Sequence, residues 1–295
     1  MASIKDRIRN GKEPLGGYVC TIPSAVVTQA LAAAGADWLV IDQEHAPIGM
    51  ENLHAMIAAT AGTSRSPWVR VAKRDEACVK PALDAGAEGI MFPLVRTAAE
   101  AAECVALTNY PPQGRRGWGP FLAHSRWGVE LLDYLPRRGA ETVCGLLIET
   151  KDAIHNLEEI CKVEGIDYMI IATFDLSTEL GVSGKFDAPI LVEAVRHAES
   201  VILEAGIPVG AAAFTQEQAQ ANLRRGHRLM VYGFDVLLLK QHARQAMEWS
   251  RPEAREALTR DDEVALVTGC PSRRLSDIFD LSRRRSISLL VHNAS

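Results

Sequence analysis

Eight short apolar runs alternate with helical segments along most of the chain, and this alternation constrains the fold more than any other feature. The runs span residues 15–20, 37–42, 67–71, 89–93, 143–148, 168–172, 207–211 and 228–232. Strands that alternate with helices are typical of a parallel sheet with right-handed crossovers. Eight such units in roughly 250 residues match the size of a (β/α)8 barrel. The sequence therefore predicts an α/β fold, a (β/α)8 TIM barrel with a C-terminal extension.

The alternative fold is an open, doubly wound sheet. Against it, no G-x-G-x-x-G follows the first run, and no G-x-x-x-x-G-K-[ST] occurs anywhere in the chain. We expect residues 1–250 to form the catalytic barrel domain. Residues 251–295 lie outside the alternation and are rich in arginine, so we expect a charged extension that is disordered, lies on the surface or serves as an oligomer arm.

Composition excludes several classes of protein. The net charge of -5 provides no basic excess for binding nucleic acid. The six cysteines are scattered with no C-x-x-C pair, which disfavours a zinc cluster or a disulfide framework and favours a reducing compartment. Residues 1–16 lack the apolar segment of a signal peptide, and no apolar run is long enough to span a bilayer. We expect a soluble, cytoplasmic protein without nucleic-acid or membrane partners.

Polar side chains follow several of the apolar runs at the point where each run ends. Asp42, Glu44 and His45 follow the second run, and Arg70 ends the third. Two further carboxylates follow the fifth and sixth runs, at Glu149 and Asp175. Because the carboxyl ends of all barrel strands meet at one face, these groups are expected to converge there.

These residue types suit metal-assisted acid–base chemistry. Glu149 and Asp175 are oxygen ligands of the kind that a hard divalent cation prefers. Arg70 would hold a carboxylate or stabilise a developing oxyanion. His45 is a candidate general base, oriented by Asp42.

Each of these residues also has a purely structural interpretation. Glu149 and Asp175 would serve as helix caps or first-turn residues, Arg70 as half of an ion pair, and His45 as a hydrogen-bonded loop residue. That interpretation has to hold four times at one barrel face, so we favour a functional site. No H-E-x-x-H and no G-x-S-x-G occurs, which leaves zincin and α/β-hydrolase chemistry without their motifs.

Several motifs in order along the chain resemble those of the HpcH/HpaI aldolase family, the class II pyruvate aldolases. They are Asp-Trp-Leu-Val-Ile-Asp-x-Glu-His-Ala-Pro at 37–47, Val-Arg-Val at 69–71, Leu-Asp-Ala-Gly-Ala at 83–87 with Pro-Leu-Val at 93–95, Tyr-Pro-Pro-x-Gly-x-Arg-Gly at 110–117, Ile-Glu-Thr at 148–150 and Asp-Leu-Ser at 175–177. The resemblance covers about residues 10–250 and leaves the C-terminal extension out.

The resemblance implies a barrel whose last helix is exchanged between subunits, in a hexamer built as a trimer of dimers. It implies Mg²⁺, Mn²⁺ or Co²⁺ held by Glu149 and Asp175, with pyruvate or its enolate chelating that metal. Phe174 and Asp175 would belong to the loop that binds the substrate carboxylate. Val19 and Ala212 would face the aldehyde.

The resemblance also assigns the acid–base groups. Arg70 would stabilise the enolate oxygen, and His45, supported by Asp42, would move the proton of the aldol hydroxyl. Asp84 would reach this group from a neighbouring subunit. The implied reaction is cleavage or formation of a 4-hydroxy-2-oxo acid, with pyruvate and an aldehyde as its small-molecule partners.

Two departures from the family pattern keep other reactions open. Residues 172–177 read Ala-Thr-Phe-Asp-Leu-Ser where many members have Gly-Pro-Ala-Asp-Leu-Ser, and Leu147 stands where many have Gln. The first departure is similar to the branch that contains macrophomate synthase. Alternatives are therefore an oxaloacetate decarboxylase or a macrophomate-synthase-like enzyme that uses the same enolate. A non-catalytic barrel subunit is a further alternative, and a CoA-thioester lyase is disfavoured because no basic pocket is evident.

Overall fold

A closed barrel of eight parallel strands forms the centre of the molecule, in a computed structural model that describes residues 2–249. The strands follow one another around the barrel in chain order: β1 Leu15–Cys20, β2 Trp38–Asp42, β3 Ser66–Arg70, β4 Gly89–Phe92, β5 Val143–Ile148, β6 Tyr168–Ile171, β7 Val209–Ala212 and β8 Leu229–Phe234. Pairing of Leu15 with Leu229 in register closes the sheet. The predicted (β/α)8 barrel is confirmed.

Thirteen α-helices occur within residues 2–249. They are α1 Ile4–Asn10, α2 Ala25–Ala33, α3 Met50–Ala58, α4 Glu76–Asp84, α5 Ala98–Thr108, α6 Ala123–Arg126, α7 Tyr134–Arg138, α8 Lys151–His155, α9 Leu157–Cys161, α10 Thr173–Glu179, α11 Pro189–Glu204, α12 Gln216–Arg224 and α13 Asp235–Glu248. By compactness the chain divides at Leu237 and Leu238, within α13. The predicted extension, residues 251–295, lies outside the described residues.

Side-chain caps fix where many of these helices begin. Ser24, Asp75, Thr97, Thr150 and Thr215 each precede a helix and accept a hydrogen bond from the backbone N–H three residues later. Such caps satisfy N–H groups that the first helical turn leaves without a partner. The loops that join strands to helices are therefore held at their helical ends.

Aromatic side chains fill the amino-terminal half of the barrel interior. Trp38 stacks on Trp68 with ring centroids 4.8 Å apart, and Trp68 stacks on Tyr168 at 4.9 Å. Gly145 makes room for this stack, because a Cβ there would overlap the Tyr168 ring. Ile8 of α1 belongs to the same core cluster. The amino-terminal end of the barrel is thus packed solid, which leaves the carboxyl end for a site.

The structure adds detail to the predicted alternation of strands and helices. The long segment 109–139 between α5 and β5 contains α6, a 3-10 turn at Leu131–Asp133 and α7. The helical segment after β5 is broken at Asn156, whose side-chain amide donates to the Arg96 carbonyl. Helix α10 was not predicted, and it begins directly after β6.

Two further observations bear on the environment of the protein. Within residues 2–249, no helix has the length and apolar character needed to cross a bilayer. The five cysteines in this part of the chain carry free thiols: Cys20, Cys78, Cys104, Cys144 and Cys161.

Candidate active site

A cavity of about 280 Å³ opens at the carboxyl end of the barrel strands. Of the residues predicted from sequence, it is lined by Val19, Asp42, His45, Arg70, Phe174, Asp175 and Ala212. These residues come from five different strands or the loops that follow them. The structure therefore brings together groups that are up to about two hundred residues apart in sequence.

Asp42 and Arg70 form the centre of the polar wall. They end neighbouring strands and face each other in register. Arg70 Nε donates to Asp42 Oδ1 at 2.9 Å, and Arg70 Nη2 donates to Oδ2 at 2.6 Å. Burial alone would lower the pKa of Arg70, but the hydrogen bonds and charge of Asp42 outweigh it, and the pKa is raised. Arg70 is therefore a permanent, fixed cation in the cavity wall.

Asp42 also fixes the turn that follows β2. Its Oδ1 accepts the backbone N–H of Glu44 at 3.0 Å and that of His45 at 3.3 Å. The expectation that Asp42 orients His45 thus holds for the backbone of His45 and not for its ring. The reason is that both oxygens of Asp42 are already bound to Arg70.

The His45 ring contacts Glu44 instead. His45 Nε2 lies 3.4 Å from Glu44 Oε2, and the imidazole is 60% exposed at the cavity rim. Burial raises the pKa of Glu44, although the Arg70 charge partly offsets the shift. Sequence reasoning noted Glu44 at the strand end but gave it no role. Its place beside both His45 and Arg70 depends on the turn geometry.

Glu149 is buried directly after β5. Its Oε1 accepts the backbone N–H of Leu94 at 2.6 Å, and Leu94 adopts a φ of 54° to direct that N–H inwards. The pKa of Glu149 is raised to about 7, chiefly by burial and also by the Asp175 and Glu44 charges, while the Leu94 N–H and Arg70 oppose the shift. Glu149 is not a helix cap, because Thr150 caps α8.

Asp175 lies in the first turn of α10. It is exposed, lines the cavity and acts on the pKa of both Glu149 and Glu44. Its first-turn position is the structural role considered from sequence. From this position its charge also raises the pKa of the other two carboxylates.

The carboxylate group fits a divalent cation. Glu44, Glu149 and Asp175 influence one another electrostatically, and Glu44 Oε2 is buried with no hydrogen-bond partner among residues 2–249. In the described part of the chain, no set of three or more His, Cys, Asp or Glu side chains is close enough to hold a metal alone. Mg²⁺ commonly uses one or two carboxylates together with substrate oxygens and waters. Glu149 and Asp175 match that smaller set of ligands.

Asp84 lies away from this cavity in its own chain. It ends α4, and its Oδ1 accepts a hydrogen bond from Arg116 Nη2 at 3.1 Å. Arg116 is buried and stands over the Tyr110 ring, with 4.5 Å from Cζ to the ring centroid. The role expected for Asp84, reaching the site from a neighbouring subunit, stays a prediction.

Apolar side chains form the rest of the wall, and sequence reasoning missed part of it. Leu147 and Phe234 line the cavity together with the expected Val19 and Ala212. Phe234 ends β8 and stacks on Phe214, with ring centroids 6.2 Å apart. An aromatic residue at a strand end was the available signal for Phe234, but aromatics are as common in packed cores.

Comparison with known proteins agrees with this geometry. The sequence model described as HpcH/HpaI aldolase/citrate lyase matches residues 20–242. A 4-hydroxy-2-oxo-heptane-1,7-dioate aldolase from Shigella boydii is 34% identical over 242 residues, which cover 82% of this chain and 92% of that protein.

Solved structures of other proteins have the same fold as this chain. An HpcH/HpaI aldolase/citrate lyase family protein from Burkholderia cenocepacia superposes with a TM-score of 0.76 at 33% identity, over 83% of this chain and 97% of the other. Macrophomate synthase superposes with a TM-score of 0.75 at 26% identity, over 85% of this chain and 89% of the other.

Proposed function

The chain belongs to the HpcH/HpaI aldolase/citrate lyase family and is a carbon–carbon lyase, and we propose that it cleaves a 4-hydroxy-2-oxo acid to pyruvate and an aldehyde. The reverse reaction joins the two. The observation that carries this proposal is the Asp42–Arg70 pair, which lines the cavity together with Asp175 and whose arginine acts electrostatically on the buried carboxylate of Glu149. Enolate chemistry needs a fixed positive charge at that position.

Glu149 and Asp175 would hold the divalent cation, Mg²⁺, Mn²⁺ or Co²⁺. The support is the cluster itself, in which burial raises the pKa of Glu149 to about 7 and negative charges accumulate that a cation would neutralise. When bound, such a cation polarises the 2-oxo group as a Lewis acid. The backbone at Phe174 and Asp175, in the first turn of α10, would contact the carboxylate of the 2-oxo acid.

Arg70 would stabilise the charge that develops on the 2-oxo oxygen. Asp42 occupies Nε and Nη2 of Arg70, which leaves Nη1 for a substrate oxygen. Because Asp42 and Arg70 are both held in the strand register, the donor is oriented before the substrate binds. Such preorganisation is the main source of oxyanion stabilisation in enzymes.

His45 would act on the C4 hydroxyl. In the cleavage direction it takes the hydroxyl proton while the C3–C4 bond breaks, and the bond's electron pair moves into the enolate of pyruvate. The aldehyde leaves, and C3 then accepts a proton. Two features support this role. The exposed His45 ring at the cavity rim is accessible to substrate, and its contact with Glu44 holds it in place.

A direct test is pyruvate release from a 4-hydroxy-2-oxo acid, followed with lactate dehydrogenase and NADH. We expect Mg²⁺-dependent release that falls by about a hundredfold or more in Arg70→Ala, the scale reported for loss of an oxyanion donor. Leu223→Ala on the exposed face of α12 is the matched control. Equal rates for wild type and Arg70→Ala would refute the proposed role of Arg70.

Decarboxylation of oxaloacetate to the same enolate is the second candidate. Leu147 and Phe174 favour it, because both line the cavity and both depart from the common family pattern. Oxaloacetate turnover far above the metal-catalysed background, without release of pyruvate from 4-hydroxy-2-oxo acids, would establish this reaction instead.

We also propose that the protein is a cytoplasmic homo-oligomer, a hexamer built as a trimer of dimers. Tyr232 of β8 is 37% exposed although it lies on a central barrel strand, and it contacts the half-buried Tyr18. On α13, Leu239 is 63% exposed. Exposed apolar side chains of this kind are typical of subunit contacts. Light scattering coupled to gel filtration tests the assembly, and a monomer would refute it.

A further inference from the structure

The catalytic cavity has two walls of opposite character. The polar wall holds Asp42, His45, Arg70 and Asp175, which the proposed reaction uses at the 2-oxo acid and the C4 hydroxyl. The remaining wall is almost entirely apolar and includes Met91, Leu147, Val231 and Phe234. The part of the substrate beyond C4, which becomes the aldehyde, would lie against this second wall.

Within residues 2–249, the catalytic cavity itself offers no further positive charge to a carboxylate on the aldehyde. Arg70 is the one Lys or Arg among the described residues that line the cavity. Two of its three nitrogens are bound to Asp42, and Glu44 lies 3.4 Å from Nε. A carboxylate buried against the apolar wall would therefore keep its full desolvation cost.

Aromatic rings extend the apolar wall outwards. Phe174 meets Phe186 edge-on with centroids 5.0 Å apart and Phe214 at 6.1 Å, and Phe214 stacks on Phe234 at 6.2 Å. These separations are those at which aromatic rings attract one another. An aromatic ring of a ligand would find both faces and edges of matching geometry here.

Phe174 also separates the catalytic cavity from a second one. The second cavity has a volume of about 430 Å³, lies between α11 and α12, and shares Ile171, Thr173, Phe174 and Ala212 with the first. Phe174 is 49% exposed, so its ring has room to move. Arg196 and Arg225 line the second cavity, so the Phe174 ring, which lines both cavities, keeps these two positive charges apart from a ligand in the first.

We propose that the aldehyde partner is uncharged and apolar, best represented by an aromatic aldehyde, and that Phe174 and Phe234 form its subsite. The inference rests on the proposed function and specifies its substrate class. The proposed substrate differs from that of the relatives named as 4-hydroxy-2-oxo-heptane-1,7-dioate aldolases, which carries a second carboxylate. Cleavage of 4-hydroxy-2-oxo-4-phenylbutanoate would break C3–C4, pass the hydroxyl proton to His45 and release pyruvate and benzaldehyde, with no oxidant or reductant.

The kinetic test compares two substrates on the full-length enzyme with Mg²⁺. The kcat/KM for cleavage of 4-hydroxy-2-oxo-4-phenylbutanoate is expected to exceed that for 4-hydroxy-2-oxo-heptane-1,7-dioate by about tenfold or more, the usual scale for one hydrophobic contact. In Phe234→Ala and Phe174→Ala this ratio of the two values is expected to fall about tenfold. Leu223→Ala, which lies outside both cavities, should keep the wild-type ratio. A preference for the dioate, or a ratio unchanged in both phenylalanine variants, would overturn the inference.

A separate measurement distinguishes failure of the subsite from failure of the proposed function. Exchange of the pyruvate methyl protons in D₂O needs no aldehyde. If exchange occurs and the dioate is preferred, the subsite is refuted and the proposed function stands. If exchange is absent, both are refuted.

Binding of unreactive alcohols supplies a readout that needs no turnover. Benzyl alcohol and 4-hydroxybutyrate resemble the two aldehydes, and saturation-transfer NMR measures their contact with the protein. We expect transfer to benzyl alcohol that weakens in Phe234→Ala, and less transfer to 4-hydroxybutyrate. Stronger transfer to 4-hydroxybutyrate would contradict the inference.

Discussion

Replacing Asp42 with asparagine should destabilise the barrel and abolish its chemistry together. Asp42 is fully buried and makes two hydrogen bonds to Arg70, at 2.9 and 2.6 Å, as well as accepting two backbone N–H groups. Asparagine has nearly the same shape but no charge, and its amide would point a donor at the guanidinium. The Arg70 charge would then be buried without its partner.

The size of this effect follows from the cost of breaking a buried ion pair. Removing one partner costs about 3–5 kcal/mol, because the other charge is left uncompensated. For a domain of this size each kcal/mol lowers Tm by about 2–4 °C, so Asp42→Asn should lower Tm by roughly 10 °C.

Thermal unfolding followed by circular dichroism measures the change, with Asp175→Asn as the matched control. Asp175 is an exposed carboxylate at the same cavity, and it has no hydrogen-bond partner within residues 2–249, so its replacement should leave Tm nearly unchanged. Equal Tm values for wild type and Asp42→Asn would show that the pair contributes nothing and would refute the reasoning.

Three further predictions follow from buried groups. The pKa of Glu149 is raised from 4.5 to about 7, chiefly by burial, so ionisation of this carboxyl destabilises the folded state as pH rises through that range. At pH 8 and without metal, the free energy of unfolding of Glu149→Gln in urea should exceed that of wild type by on the order of 3 kcal/mol. Burial would raise the pKa of Glu199, but its 2.7 Å hydrogen bond with His227 helps to lower it from 4.5, so the stability difference between wild type and Glu199→Gln should be present above pH 4.5 and be lost as pH falls through the lowered pKa. Gly145→Ala should destabilise the barrel by about 1–3 kcal/mol or prevent folding, because the added methyl overlaps the Tyr168 ring, and equal urea midpoints would contradict that overlap.

The barrel was predictable because its signal is repeated. One apolar run followed by a helical segment is weak evidence for any fold, but eight such units in order are compatible with few folds. The polar groups at strand ends were predictable for the same reason, since the carboxyl ends of barrel strands meet at one face. Asp42, Arg70 and Asp175 were placed correctly at the cavity by this rule.

Hydrogen-bond partners that depend on turn geometry and strand register were not predictable from the sequence. The sequence suggested that Asp42 holds the His45 ring, whereas the register of β2 and β3 places both oxygens of Asp42 on Arg70. The left-handed backbone of Leu94, which directs its N–H to Glu149, has no glycine to indicate it. Short elements were missed as well: α1 has two buried isoleucines, and seven residues give too little periodicity to detect.

The aromatic wall escaped prediction for a different reason. Phe174, Phe186, Phe214 and Phe234 come from four separate segments and share no local pattern. Only the closed barrel brings their loops to one place. Substrate preference in this fold therefore depends on contacts between loops, which the sequence of each loop does not reveal.

The central claim is that this barrel makes the enolate of pyruvate, and proton exchange at the pyruvate methyl group tests it most directly. The protein with Mg²⁺, Mn²⁺ or Co²⁺ is incubated with pyruvate in D₂O, and the methyl signal is followed by NMR against a protein-free control. The account predicts metal-dependent loss of that signal, stopped by a chelator and absent in Glu149→Ala. Exchange at the protein-free rate with every one of these metals would contradict it.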